Sequence, residues 1–331
     1  MNRLQLSLAC GDYDRTRALT DGRVRPEGID LTYLALPPDE TFFRMLRYQE
    51  FDVSELSLSA YTIMKAHGQC PFVAIPVFPS RCFRHSAIFI RTDVGIREPK
   101  DLIGRRVGVP DYQMTAAVWA RGALQHEYGV SPESIHWVLG GQEQAGRGTM
   151  VRVDLPAKLK VERLGPGETL NGMMEAGKID ALISPVLPTA FRRHAPWVAR
   201  LFPNYREVEE DYFRRTGIFP IMHTVVIKEA LYQQYPWVAQ SLYKAFEQAK
   251  QLCYDRFAYE PLAHLITMAW ATDELERERA LMGEDFWPYG FEANRQTVAT
   301  LCQYVHEQGL APRAPTPEEL FAPNTLASYK R

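Results

Sequence analysis

Short apolar runs of strand length alternate with helical segments from Leu4 onward, and this alternation restricts the fold more than any other feature of the chain. Leu4, Leu6 and Leu8 are separated by Gln5 and Ser7, a period of two that predicts a strand over Leu4 to Ala9. A Pro-Glu-Gly turn ending at Gly28 leads into a second strand, Ile29 to Leu36. Thr41 to Tyr48 carries Phe42, Met45 and Leu46 at helical spacing, Asp52 to Leu58 reads as a strand, and Ala60 to His67 as a helix. Phe72 to Val77 and Ala87 to Ile90 are expected strands on either side of a polar segment, Ser80 to Ser86. Gln113 to Tyr128 and Glu168 to Ala176 read as helices ended by Gly129 and Gly177, with a loop and irregular strand between them over Gly140 to Lys160. Buried strands follow at Ile179 to Ile183 and His223 to Ile227, and the chain beyond Pro236 turns largely helical. Strands and helices in alternation build an α/β architecture.

At 331 residues the chain exceeds one typical hydrophobic core, so two domains are expected. Its 38 basic and 40 acidic side chains give a net charge of −2, which offers no bulk attraction to nucleic acid or to an anionic membrane. Neither is expected as a partner, and any anion site must be a local cluster. The five cysteines (Cys10, Cys70, Cys82, Cys253 and Cys302) are scattered without a CxxC pair, which argues against a zinc ribbon and fits a reducing, cytoplasmic setting. Leu6-Ser7-Leu8-Ala9-Cys10 has the look of a lipoprotein cleavage site, but the apolar run before Cys10 is too short for a signal segment. No stretch supplies the roughly 20 apolar residues of a membrane-spanning helix.

The run from Ile96 through Val109, followed by a helix whose start can receive an anion, resembles the second lobe of the type II periplasmic-binding-protein fold. That resemblance implies a two-lobed α/β protein with its ligand cleft between the lobes. The chain would leave lobe one near Arg91 to Arg97 and return near Thr224 to Lys228, giving lobe one as residues 1–92 and 225–331 and lobe two as 93–224. Four segments in order carry a narrower resemblance. They are Ala9-Cys10-Gly11-Asp12-Tyr13-Asp14-Arg15, Arg81-Cys82-Phe83-Arg84-His85-Ser86, Gly108-Val109-Pro110-Asp111-Tyr112-Gln113-Met114-Thr115 and Gly217-Ile218-Phe219-Pro220-Ile221-Met222-His223. Together they resemble the 4,5-dihydroxyphthalate decarboxylase family of bacterial phthalate breakdown. The resemblance implies a small aromatic dicarboxylate as partner and loss of CO2 to give 3,4-dihydroxybenzoate.

That chemistry needs a cationic grip on the dicarboxylate, an acid for the ring carbon and a base for the phenol. Arg81, Arg84 and His85 form the densest cationic cluster in a segment that could line the cleft, with arginine suited to carboxylates and His85 able to supply a proton near neutral pH. On a flat strand Arg81 and His85 share one face and Arg84 takes the other, so the three converge only if the chain turns. Surface pairing with carboxylates at the crossover is the alternative. Tyr112, Gln113 and Thr115 lie at a strand-to-helix junction, where free N–H groups and added side-chain donors favour a carboxylate and Tyr112 could stack on a ring. A helix-cap role for Asp111 or Thr115 is compatible with this.

Asp12, Tyr13 and Arg15 follow the first strand, with Asp12 a proton acceptor or a turn or helix-cap residue, Tyr13 a substrate contact and Arg15 a further carboxylate contact. Glu55, Ser57 and Ser59 are candidates for hydroxyl recognition, and a carboxylate such as Glu55 rarely enters an apolar strand without a partner. His223 stands at the return crossover, a catalytic candidate or a hydrogen-bonded structural residue, and Ser184 follows a strand end that lines the cleft. The expected catalytic set is therefore His85, His223 and Asp12.

No GxGxxG, Walker or GxSxG pattern occurs, so no organic cofactor is expected and serine hydrolysis is unsupported. A divalent metal held by His85, His223 and Glu55 is an alternative that no HxH or HxxxH spacing supports. Phe286-Trp287-Pro288-Tyr289 either mediates a homo-oligomer or packs on the first lobe. Two other functions compete with decarboxylation of this substrate. One is a non-catalytic solute-binding or sensor protein for an aromatic carboxylate, the other a related lyase acting on a different hydroxylated aromatic acid.

Overall fold

Among the described residues eleven strands sort into two sheets, as the alternation of apolar runs requires. The computed structural model describes residues 3–146 and 151–327, so residues 147–150 of the expected loop at 140–160 lie outside it. In chain order the strands are β1 (Leu4–Cys10), β2 (Ile29–Ala35), β3 (Val53–Ser57), β4 (Phe72–Arg81), β5 (Ile88–Arg91), β6 (Arg106–Val109), β7 (His136–Leu139), β8 (Lys160–Arg163), β9 (Ala181–Ile183), β10 (Val198–Arg200) and β11 (Ile221–Lys228). The first sheet runs β2-β1-β3-β11-β4, with β1 parallel to β2 and β3, and β11 antiparallel to both β3 and β4. The second runs β10-β5-β9-β6-β7-β8, parallel from β9 through β8, with β5 antiparallel to its neighbours.

Sheet membership moves the crossovers from where the sequence places them. Residues 88–91, expected in lobe one, pair with β9 of the second sheet as Ile88 opposite Ile183 and Phe89 opposite Leu182. The chain therefore crosses between Arg81 and Ile88, and it returns by Ile221 rather than Thr224. An apolar run announces a buried strand but carries no mark of which sheet will bury it. Arg81, expected in a polar crossover segment, is the last residue of β4.

A C-terminal helix binds the lobes together. The Arg295–Glu307 helix packs on both the Leu58–Ala66 helix of the first lobe and the Thr115–Tyr128 helix of the second. Gly122 makes the second contact possible, because a Cβ there would lie 2.1 Å from the Tyr304 ring. Just beyond the helix, the buried Gln308 amide accepts from Arg121 Nε at 2.9 Å and donates to the Val118 carbonyl at 2.9 Å. The Phe286–Tyr289 segment packs on its own chain, with Trp287 Nε1 donating to the Phe78 carbonyl at 2.9 Å. The proline-punctuated tail then docks on β4, where Ala322 N donates to the Ala74 carbonyl at 2.8 Å.

Candidate active site

Glu55 is the focus of the site. It projects from β3, the middle strand of the first sheet, and its side chain is fully buried. Pairing in parallel with β1 brings the end of that strand alongside, so that Gly11 N donates to Oε2 at 2.9 Å and the Cys10 thiol lies 3.4 Å from the same oxygen. Oε1 receives the Tyr13 hydroxyl at 2.8 Å and His223 Nδ1 at 2.6 Å. His223 reaches it because β11 runs antiparallel to β3 with His223 opposite Ser57 and Val225 opposite Glu55, which puts the His223 and Glu55 side chains diagonally on one face. An ionised carboxylate only accepts, so Nδ1 carries the proton. Burial drives the Glu55 carboxyl upward, but the bond and charge of His223, then Gly11 N–H and Tyr13 O–H, outweigh it and hold the group below the ordinary carboxylate range.

His223 keeps 18% of its side chain exposed, with the edge of Phe42 4.8 Å away between ring centroids. Nε2 has no hydrogen-bond partner among the described residues. Opposite it, Ser57 joins the lobes, its hydroxyl 2.8 Å from that of Thr115 at the start of the second-lobe helix. Ser59 N donates to Thr115 Oγ1 at 3.1 Å, and Ser59 Oγ donates to the Gln113 carbonyl at 2.6 Å. The Gln113 amide donates to Asp111 at 3.3 Å, and its Oε1 is buried without a partner. Two helix starts and a histidine thus meet at the seam between lobes, where backbone N–H groups and hydroxyls favour an anion.

The other expected residues lie elsewhere. His85 packs among Tyr128, Phe202 and Tyr212, with both ring nitrogens buried and unbonded, and burial pushes it down to about 4. It does not join Glu55 and His223. Arg81 donates through its two terminal nitrogens to the carbonyls of Phe219 and Pro288 and to Asn294 Oδ1, so both are spent on the chain itself, while Nε is buried without a partner. Arg15 is sandwiched between the Tyr13 and Trp287 rings at 4.3 and 4.1 Å and donates to the Pro79 carbonyl. Arg84 donates through Nε to Met222 Sδ at 3.2 Å, and its two terminal nitrogens have no hydrogen-bond partner among the described residues. Tyr112 is buried under Arg121, 3.7 Å from its ring centroid, and is not open to stack on a ligand. Asp12 is exposed, 3.9 Å from Arg17. Ser184 is buried against Gln142 Oε1 and the Val186 carbonyl.

Sequence reasoning passed over the roles of Cys10 and Gly11 around the carboxylate, and the edge contact of Phe42. The buried charge at Glu55 was the one signal that a ring of donors had to exist. Among the described residues, no group of three or more His, Cys, Asp or Glu side chains is arranged to hold a metal ion, and no helix is long and apolar enough to cross a membrane.

Two lobes around such a seam define a protein of the periplasmic-binding-protein-like fold. Among solved structures, the chain is similar to the periplasmic aliphatic sulphonate binding protein SsuA from Escherichia coli, with 13% identity, a TM-score of 0.54, and coverage of 98% of this chain and 99% of the other. It is also similar to a variant of the desulfurization enzyme DszB in complex with biphenyl-2-sulfinic acid, with 17% identity, a TM-score of 0.51 and 98% of each chain covered. The fold therefore serves both a binder and an enzyme. No family model matches the chain. Among curated proteins, a 4,5-dihydroxyphthalate decarboxylase from Comamonas testosteroni is 42% identical over 330 residues, covering 100% of both chains. One from Pseudomonas putida is 44% identical over 214 residues, covering 65% of this chain and 83% of the relative. This chain belongs to the 4,5-dihydroxyphthalate decarboxylase family.

Proposed function

We propose that the protein removes CO2 from 4,5-dihydroxyphthalate to give 3,4-dihydroxybenzoate, with His223 as the proton donor to the ring. The observation that carries this reading is the Glu55–His223 pair, with Nδ1 anchored at 2.6 Å and Nε2 left open at the lobe seam. An imidazolium at His223 lies against a carboxylate that balances its charge. Its Nε2 proton goes to the ring carbon bearing one carboxylate, and the hydroxyl para to that carbon donates electron density to the resulting cation. The bond to the carboxylate then breaks, its electron pair restores the aromatic ring, and CO2 leaves. Water returns the proton to His223, so one proton is consumed per CO2 released.

The carboxylates need a grip, and Arg84 is the arginine of the crossover whose terminal nitrogens are not already bonded to the chain. Ser57, Ser59, Gln113 and Thr115 supply hydroxyl, amide and backbone donors where the two helices begin. His85 and Asp12 take no part in this step, since one is caged by aromatic rings and the other is paired at the surface. The reading invokes no organic cofactor and no metal. All five cysteines are free, which supports a cytoplasmic location.

Incubation of purified protein with 4,5-dihydroxyphthalate, with and without a chelator, tests the proposal through CO2 release and ring absorbance. Equal amounts of CO2 and 3,4-dihydroxybenzoate are expected in both arms. Ligand bound and recovered intact would identify a binding protein, turnover of only another hydroxylated aromatic acid would identify a related lyase, and loss of activity with chelator would restore the metal.

A further inference from the structure

We propose that Tyr13 is a positioning residue, whose hydroxyl holds the Glu55 carboxylate in the orientation that fixes the proton of His223 on Nδ1. The inference rests on the proposed role of His223. Tyr13 and His223 share one oxygen, Oε1, at 2.8 and 2.6 Å, while Gly11 N–H holds the other at 2.9 Å. A carboxylate held at both oxygens cannot rotate about its final torsion, so Oε1 stays aimed at Nδ1 and Nε2 stays unprotonated in the neutral ring. Sequence position alone suggested a ligand contact for Tyr13, but its hydroxyl is turned inward to the carboxylate.

Tyr13 is itself held by two contacts. Its ring folds back over Gly11, where a Cβ would lie 2.6 Å from Tyr13 Cζ. The Arg15 guanidinium lies over the same ring, 4.3 Å from its centroid, and is pressed in turn against Trp287. Arg15 Nε donates to the Pro79 carbonyl at 2.9 Å and Trp287 Nε1 to the Phe78 carbonyl at 2.9 Å, so β4 anchors the stack. A chain of contacts therefore runs from the C-terminal segment through Trp287, Arg15, Tyr13 and Glu55 to His223. Arg15 acts here as a spacer between rings, a use of its planar cation that needs no substrate.

The test compares wild type with Tyr13→Phe and Gly11→Ala, using steady-state kinetics and nitrogen-15 NMR of labelled histidine. Tyr13→Phe removes only the hydroxyl, and Gly11→Ala keeps the N–H donor while displacing the Tyr13 ring. In both variants the neutral His223 ring is expected to change from the single Nδ1–H tautomer to a mixture of tautomers. With 4,5-dihydroxyphthalate, kcat falls about tenfold and KM stays within about twofold, as expected for loss of one charge-assisted hydrogen bond away from the substrate. A single, unchanged tautomer in Tyr13→Phe overturns the proposal whatever the kinetics do. A raised KM at unchanged kcat overturns it too, by making Tyr13 a substrate contact. The NMR readout needs no substrate, so failure of the decarboxylase reading leaves this inference separately decided.

Discussion

His85 and His223 are the same side chain in opposite settings, and the contrast shows what makes an imidazole available for chemistry. His223 lies on the seam between lobes, fixed by a buried carboxylate through one nitrogen and open at the other. His85 is 4% exposed among three aromatic rings, with no acceptor for either nitrogen. Burial is the largest cause that pushes His85 down to about 4, opposed by Glu127 and assisted by Arg215, so the ring is neutral at ordinary pH. A proton donor needs a charge to balance it and a route to the substrate, and only the first setting has both.

Three substitutions sharpen or break that comparison. His223→Gln is expected to lower kcat about a thousandfold with the fold retained by circular dichroism, while Tm falls because the buried Glu55 loses its charged partner. A folded variant with wild-type turnover would end the proposed mechanism. Glu55→Gln keeps the shape but cannot balance an imidazolium, and kcat should fall on the order of a hundredfold. The same variant should weaken the pH dependence of stability at the acid end. The Glu55 carboxyl is depressed in the folded chain, so its contribution is present above the unfolded carboxylate value and lost as pH falls through the folded one.

The smallest effect is expected at His85. His85→Phe should leave kcat within about twofold and change stability only in acid. From the ordinary value of 6.5 down to about 4, the unfolded chain binds a proton at His85 that the folded chain refuses, so the wild type loses stability as pH drops through that window. The loss amounts to about 2 kcal/mol at pH 5. Urea melts of both proteins at pH 7 and pH 5 read the difference directly. If His85→Phe abolishes turnover in a folded protein, the cage is part of the active site after all.

The arginines repeat the lesson. Arg81 and Arg121 are both buried and both pushed down by burial, to about 9 and about 10, yet neither meets a carboxylate. Arg81 is bonded to carbonyls and Asn294, and Arg121 to Gln308 and the Tyr112 carbonyl. Charge density along the sequence pointed to Arg81 as a substrate grip, whereas its place at the end of β4 makes it a strut for the chain from Pro288 to Asn294.

By itself, the sequence determined the alternation of strands and helices, the two-lobed α/β class, and the segments that mark the decarboxylase family. It also singled out Glu55, because a carboxylate in an apolar strand demands partners. These are local properties, legible in spacing and residue type. Which partners answer the demand was decided by pairing between β1, β3 and β11, strands far apart in the chain. Only that register sets His223 diagonally across from Glu55 and brings Tyr13 over the same oxygen. The caging of His85 by Tyr128, Phe202 and Tyr212 is likewise a product of packing between distant segments. Periodicity reports which side of a strand is buried, but only tertiary contacts decide what it is buried against.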